Sequence, residues 1–278
     1  KLDTITGGKY QNTRILIAED NHINQQVVVS MLKKAGYVNV DIAGNGRMAA
    51  EATDKATYDI IFMDMQMPEM DGFEATRIIR EKERDKKHNI IVAMTAHALG
   101  GDRKRCLDAG MDDYISKPIN RQEMFSIIMK WVWSKIEGPS IEVKDKEALK
   151  PYILGPPPEI DKAEKLTEAP VDLKSALVRF DNDMQFFKTM LDEFLGYVPD
   201  HIKAIEEAVK SGNAEVIHEY GHSIKGAAGM LGADRLSYVA LSIENKASDN
   251  ALADISALVE TLKSELSNLK DYAKAFIV

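Results

Sequence analysis

One cysteine, Cys106, stands in 278 residues, so no disulfide can form within the chain and a cysteine-ligated metal site is not expected. Such scarcity fits a reducing cytosol. Long hydrophobic runs are missing as well: nothing approaches the roughly 18 apolar residues that read as a membrane span. The N-terminus lacks the basic-then-apolar pattern of a signal peptide. It opens on Lys1 rather than Met, and the expectation is a piece of a longer protein. An excess of positive charge is absent too, with 36 Lys and Arg against 44 Asp and Glu and a formal net charge of −8. A nucleic-acid surface would repel such a chain. The one charge-dense run, 80–87, mixes both signs and reads as a solvated helix end and loop.

What is present suits two globular domains. The hydrophobic fraction is 45% and the charged fraction 29%, enough for real cores at an ordinary solubility. The first half alternates short apolar runs with helical patterns. Strands are predicted at 14–18, 38–43, 58–63, 89–94 and 113–116, and helices at 21–35, 45–55, 72–82, 98–109 and 120–133. Five βα units in succession predict a parallel sheet covered on both faces, with strands apolar throughout. Ligands of such sheets sit beyond the strand C-terminal ends.

From about 135 to 169 the character changes. Gly138-Pro139, Pro151 and Gly155-Pro156-Pro157-Pro158 punctuate a charged stretch without periodicity, read as a semi-stiff linker. Beyond it helical patterns take over, at 171–180, 183–196, 198–211, 214–231, 234–245 and 252–277. The middle four are expected to form an up-and-down bundle, braced by the last.

Chemistry-bearing residues fall at the strand ends of the first half. Glu19 and Asp20 follow the first strand, Asp64 the third and Thr95 the fourth, while Lys117 ends the fifth. Three carboxylates crowded beyond one sheet edge repel unless a cation intervenes. Hard oxygen ligands with open positions favour Mg²⁺ completed by a phosphate. A carboxylate there can attack phosphorus, with the Thr95 hydroxyl and the Lys117 ammonium neutralising the phosphoryl oxygens.

The segments IAEDNHIN (17–24), MDMQMPEMDG (63–72), MTAHA (94–98) and GMDDYISKPI (110–119) resemble the receiver domains of hybrid sensor histidine kinases. The resemblance implies a flavodoxin-like (βα)5 fold over 14–134 and Asp64 as phosphoacceptor. It implies a Mg²⁺ site made by Glu19, Asp20, Asp64 and the backbone carbonyl of Gln66. Thr95 matches the switch hydroxyl, Lys117 the phosphate-binding lysine and Tyr114 the aromatic that moves with the switch. Residues 1–13 look like the join to a kinase core. His88 and His97 lie near loops without evident partners, and Cys106 reads as structural or exposed.

The second half carries IHEYGHSIKGAAGMLGA (217–233). On a helix, His222, Lys225, Gly226 and Gly229 share one face. Each internal glycine costs about 1 kcal/mol against alanine, so Gly221, Gly226 and Gly229 need a reason. Access for a partner to the imidazole is the one expected, with Gly221 loosening the helix. Lys225 can neutralise an incoming phosphoryl group. This stretch resembles the histidine-phosphotransfer (HPt) domain, through His222, Lys225, Gly226, Gly232 and Ala233. That implies a helical bundle over 170–278 with His222 as second acceptor. His218, one turn earlier, lacks the lysine and glycine at the matching offsets and is given no role.

The two resemblances together imply a bacterial-type phosphorelay. The expected partners are an upstream histidine kinase core and a downstream receiver, with no nucleic acid and no membrane contact by this piece, in the cytoplasm beside a parent that can itself be membrane-anchored. No Gly-rich nucleotide loop or second histidine box is found, so ATP-dependent autophosphorylation is not expected. Two other readings stay open. A Mg²⁺-dependent phosphatase with an aspartate nucleophile usually wants a second aspartate two residues on, where this chain has Gln66. An interaction scaffold with an inactive receiver sits poorly with the set Glu19, Asp20, Asp64, Thr95 and Lys117.

Overall fold

The computed structural model describes residues 12–83, 88–95, 100–133 and 169–277. The expected join at 1–13 and linker at 135–169 lie almost wholly outside them, as does His97. The chain divides into two compact units, Lys1–Glu159 and Ile160–Val278.

The first unit is a five-stranded parallel sheet with strand order β2-β1-β3-β4-β5. The elements are β1 (Arg14–Ala18), α1 (His22–Lys34), β2 (Asn39–Ala43), α2 (Gly46–Lys55), β3 (Ile60–Asp64), α3 (Gly72–Glu83), β4 (Ile90–Thr95), α4 (Gly100–Asp108), β5 (Asp113–Ser116) and α5 (Arg121–Ile128). A looser turn, Met129–Trp133, continues α5. Every residue of central β3 and β4 is buried, as expected of strands covered on both faces. The outer strand β2 departs from the expectation of unbroken burial, because Asn39 and Ile42 lie exposed at the sheet edge. Register places Asp64 opposite Met94 and Thr95 opposite Ser116, so the expected site residues come out at one end of the sheet.

The opposite end is clamped by charge. Arg80 on α3 donates to the Gly110 and Asn89 carbonyls and pairs with Glu83 and Asp112, both at 2.7 Å. His88, expected to lack partners, lies 3.1 Å from Glu83 and 2.8 Å from Asp112. It belongs to this clamp at the strand starts, far from the chemistry. Cys106 is buried against the core.

The second unit is helical: α6 (Leu173–Arg179), α7 (Met184–Ser211), α8 (Ala214–Met230), α9 (Asp234–Ser248) and α10 (Ile255–Ile277). Two helices were expected across 183–211, and one is found, running through Pro199. Proline inside a helix costs about 3 kcal/mol. The buried stripe Phe187, Met190, Leu191, Phe194, Val198, Ile202 and Ile205 keeps helical spacing across that point. Burying each such side chain contributes about 2 kcal/mol, so packing outweighs the proline. The four bundle helices are therefore α7, α8, α9 and α10, each packed on two neighbours in a ring. The last helix is a full member of the bundle rather than a brace.

Candidate functional site

The acidic site begins at the turn after β1. Asn21 caps α1, its side chain accepting from the Ile23 and Asn24 amides. That leaves Asp20 available for the pocket. Glu19 is 2% exposed. Its Oε1 accepts from Asn24 Nδ2 at 2.8 Å and from the Asn21 amide at 3.3 Å, and its Oε2 lies 2.7 Å from Lys117 Nζ. Asp64, ending β3, is 2% exposed and also meets Lys117 Nζ, at 2.5 Å. One ammonium thus spans two buried carboxylates. Asn24 was not singled out in the sequence, although its spacing from Glu19 puts it one turn into α1.

The carboxylate oxygens of Glu19, Asp20 and Asp64 lie within 4.8 Å of one another, a group that can hold a metal ion. Asp20 Oδ1 is buried and has no hydrogen-bond partner. A buried acceptor left unsatisfied is costly, and hard oxygen donors facing inward are what a hard divalent cation takes. The electrostatics agree. Burial pushes the Asp20 carboxyl up and Glu19 pushes it further, to about 7 against the pull of Lys117. Burial likewise raises Asp64, which Lys117 only partly offsets while Glu19 and Asp20 add to the rise, to about 8. Lys117, in spite of its burial, is driven the other way by Asp64 and Glu19 and stays protonated. The pocket holds more negative charge than its one lysine balances.

The remaining candidates line the same sheet end. Thr95 is buried at the end of β4, and its carbonyl accepts the Lys117 amide at 2.7 Å. Tyr114 lies opposite Ala93, two positions down the strand pair from Thr95 and on the same face by the strand period. It is half-buried against the core. Gln66 follows Asp64 in the β3–α3 loop, its amide donating to Asp64 Oδ1 at 3.2 Å. Gly72 closes that loop. A Cβ there would collide with the Asp64 carbonyl oxygen, so only glycine lets α3 start against Asp64.

The histidine site is built between α8 and α9. His222 is 7% exposed and Lys225 9% exposed. His222 Nδ1 lies 2.9 Å from Glu244 Oε1 and 3.1 Å from Lys225 Nζ, and Lys225 Nζ lies 3.0 Å from Glu244 Oε1 and 2.7 Å from its Oε2. Glu244, on α9, is the residue that sequence reasoning missed. Burial would raise its carboxyl, but the hydrogen bond with His222 and the charge of Lys225 prevail and hold it at about 2. A signal existed: Leu236, Val239, Ala240, Ile243 and Ala247 form the buried stripe of α9, and Glu244 is a charge set into it. His218 stacks near-parallel to His222 at 6.4 Å and reaches within 3.9 Å of the same Glu244 oxygen.

Gly221 is not a loosening residue. A Cβ on it would stand 3.3 Å from the Glu244 amide nitrogen and 3.5 Å from the Ala240 carbonyl oxygen. Its missing side chain brings α8 close to the α9 backbone where Glu244 sits. Gly229 faces α9 in the same way, 3.4 Å from Ser237 Oγ by the same construction. At Gly221 the missing side chain serves helix contact.

The family model described as response regulator receiver domain matches residues 15–129, and the model for the Hpt domain matches residues 189–272. Hybrid signal transduction histidine kinase B of Dictyostelium discoideum is 43% identical over 127 residues, 42% of this chain and 6% of that protein. The signal transduction histidine-protein kinase BarA of Escherichia coli is 25% identical over 232 residues, 84% of this chain and 24% of that protein. The chain therefore spans a small part of the curated relatives it matches, which come from an amoeba and from bacteria. Among solved structures, the receiver domain of a Pseudomonas aeruginosa sensor histidine kinase, with a magnesium ion in its active-site cleft, is 42% identical. That match covers 44% of this chain and 98% of that one, at a TM-score of 0.40. No described helix is long and apolar enough to cross a membrane. The first part of the chain belongs to the response regulator receiver domains, and the second carries an Hpt domain.

Proposed function

We propose that this chain is a two-acceptor segment of a phosphorelay, taking a phosphoryl group onto Asp64 and exchanging one between an aspartyl phosphate and His222. The observation that carries this reading is the pair of acceptor sites, each built of an acceptor, a lysine and a buried carboxylate: Asp64, Lys117 and Glu19 in one, His222, Lys225 and Glu244 in the other.

At the first site, an Asp64 oxygen forms the new O–P bond as the P–N bond of a donor phosphohistidine, protonated on its other ring nitrogen, breaks and the ring leaves as neutral imidazole. Glu19, Asp20, Asp64 and the Gln66 backbone carbonyl would hold Mg²⁺, whose charge supports phosphoryl transfer when bound. Lys117 leaves its two carboxylates to meet the phosphoryl oxygens, and the Thr95 hydroxyl donates to another of them. Tyr114 follows Thr95. At the second site, Glu244 accepts from Nδ1–H, so the lone pair of neutral His222 resides on Nε2. Nε2 forms the N–P bond as the acyl O–P bond of an aspartyl phosphate breaks and the carboxylate departs. Glu244 stabilises the imidazolium character that develops, and Lys225 meets the transferred oxygens.

The same reading gives the chain an upstream histidine kinase core, a downstream receiver and a cytoplasmic setting. It assigns the receiver to 14–134, the linker to 135–169 and the Hpt domain to 170–278.

Acetyl phosphate with Mg²⁺, on the parent chain, Asp64→Asn and His222→Gln, tests the reading by mass spectrometry with acid and base stability of the adducts. An acid-stable, base-labile adduct at Asp64, lost in Asp64→Asn, is the expected result, with a phosphohistidine at His222 when a phosphorylated receiver is supplied. Steady release of phosphate from phosphomonoesters, without either adduct, would replace the relay by a phosphatase.

A further inference from the structure

The β3–α3 loop holds an unusual backbone. Glu69 has φ +65°, the left-handed region that residues with a Cβ avoid. Such a conformation persists only where its surroundings impose it. The surroundings here are the start of α2. The Asn45 side chain uses both ends of its amide: Oδ1 accepts from the Met48 amide at 2.9 Å, capping α2, and Nδ2 donates to Glu69 Oε1 at 3.2 Å. Arg47 adds a weak pairing, 3.8 Å from Glu69 Oε2. Next to Asn45, the Gly46 amide donates to the Met70 carbonyl at 3.1 Å. A Cβ on Gly46 would come within 2.5 Å of that same oxygen. At its far end the loop is closed by the Gly72 amide donating to the Met65 carbonyl at 3.2 Å.

We propose that Asn45 is a positioning residue for the acidic site, acting through Glu69 to hold the Met65–Asp71 loop in the one conformation that presents Gln66 beside Asp64. The proposal rests on the metal reading of that site. It explains why the α2 cap is asparagine. Aspartate would cap the helix equally well but has no donor for Glu69, and serine or threonine would have to accept from Met48 and donate to Glu69 through a single, shorter-reaching oxygen. It also explains a non-glycine residue at φ +65°, since the Glu69 carboxylate is what Asn45 holds.

The latch is worth about one hydrogen bond, so without it the balance between the competent loop and its open alternatives shifts about fivefold toward the open ones. Apparent affinity scales with the competent fraction. Two variants isolate the bond. Asn45→Asp keeps the cap and replaces the donor by a like charge; Glu69→Ala removes the acceptor at an exposed position, and with it the weak Arg47 pairing, while leaving the α2 cap intact. Adding Glu69→Gln to Asn45→Asp restores the bond in the reverse direction, the glutamine amide donating to the new carboxylate.

Mg²⁺ is titrated calorimetrically into the full chain and its variants, and backbone amide exchange is followed in the metal-free proteins. Both single variants are expected to bind Mg²⁺ more weakly, by a factor that approaches about five as the open loop comes to dominate. The Gln66, Met70 and Gly72 amides should exchange about fivefold faster while those of Ala49 and Ala50 are unchanged, and the double variant should recover both properties. Parent-like Mg²⁺ affinity and loop exchange in the single variants, or no recovery in the double one, would overturn the proposal. A parent chain that binds no Mg²⁺ would overturn the metal reading instead, and loop exchange in the metal-free variants would still judge the latch.

Discussion

Asp20→Asn should stabilise the metal-free receiver while removing its divalent-ion response. In the folded chain the Asp20 carboxyl is held at about 7 instead of its ordinary 3.8, by burial and by Glu19. A carboxyl whose folded value is raised opposes folding wherever the unfolded chain would ionise it. The penalty is absent below about pH 4, grows as pH rises, and is complete above about pH 7. The full difference is about 4 kcal/mol at neutral pH. Counter-ions gathering at an acidic cluster screen it, so about 2 kcal/mol is the working figure, or roughly 8 °C in melting temperature for a domain of this size. The asparagine amide also gives the cluster a donor in place of the unpartnered Asp20 Oδ1. Both tryptophans of the chain, Trp131 and Trp133, lie in the receiver, so a thermal melt followed by tryptophan fluorescence in EDTA reports that unit alone. The variant should melt above the parent at pH 7.5 and with it at pH 4. Millimolar Mg²⁺ should raise the parent by mass action and leave the variant unmoved. A variant that melts at or below the parent in EDTA at pH 7.5 would refute the electrostatic account of the pocket.

Three further perturbations follow from the geometry. Gly72→Ala forces α3 away from the Asp64 carbonyl and should cost about 3 kcal/mol, seen as a lowered fluorescence melt, with acetyl phosphate labelling of Asp64 reduced; a parent-like melt would contradict the tight closure. Gly221→Ala gains about 1 kcal/mol of helix propensity and meets the α9 backbone at 3.3 Å. Its chemical melt by circular dichroism should stay near the parent while phosphotransfer to His222 slows several-fold, and unchanged transfer would show that the close approach is dispensable. Glu244, held at about 2 against its ordinary 4.5, contributes about 3 kcal/mol at neutral pH. Because its folded value is lowered, that contribution is present above about pH 4.5 and is lost as pH falls toward 2; the parent and Glu244→Gln should therefore differ in urea stability at pH 7 and converge at pH 2.5, and a pH-independent difference would place the effect in packing.

The (βα)5 order was legible because periodicity and βα alternation carry it: β5 at Asp113–Ser116 matches its expected limits residue for residue. The one misread element, α7, shows the limit of local rules. Gly196 and Pro199 are breakers by propensity, yet the stripe from Phe187 to Ile205 buries one continuous face, and tertiary packing overrides them. The acidic site was legible because its residues occupy the ends of consecutive strands, so topology alone gathers them. Glu244 was not, because it is 22 residues from His222 on another helix, and only the bundle brings the two together. Gly221 was seen but misassigned for the same reason: its partner, the α9 backbone, is invisible along the chain.

The two proposed acceptor sites share an electrostatic design despite different chemistry. In each, a buried lysine is already paired with a carboxylate other than the acceptor: Lys117 with Glu19 at 2.7 Å, Lys225 with Glu244 at 2.7 Å. Taking an ammonium out of water unpaired would cost several kcal/mol, so the carboxylate lets the lysine wait in a nearly dry site. A phosphoryl group brings about two negative charges and competes for that same lysine. The sites then differ in what the displaced carboxylate does next. In the proposed relay Glu244 would retain the His222 Nδ1–H and stabilise a cationic ring, which would favour a phosphorylated histidine. Glu19 would keep Asn24 and the Asn21 amide on its Oε1, but its charge, beside Asp20 and an acyl phosphate, would have no counter-charge except a cation, so the aspartyl phosphate is expected to depend on one. Dependence on a divalent ion should therefore belong to the Asp64 step, while phosphohistidine at His222, once formed, should persist in EDTA.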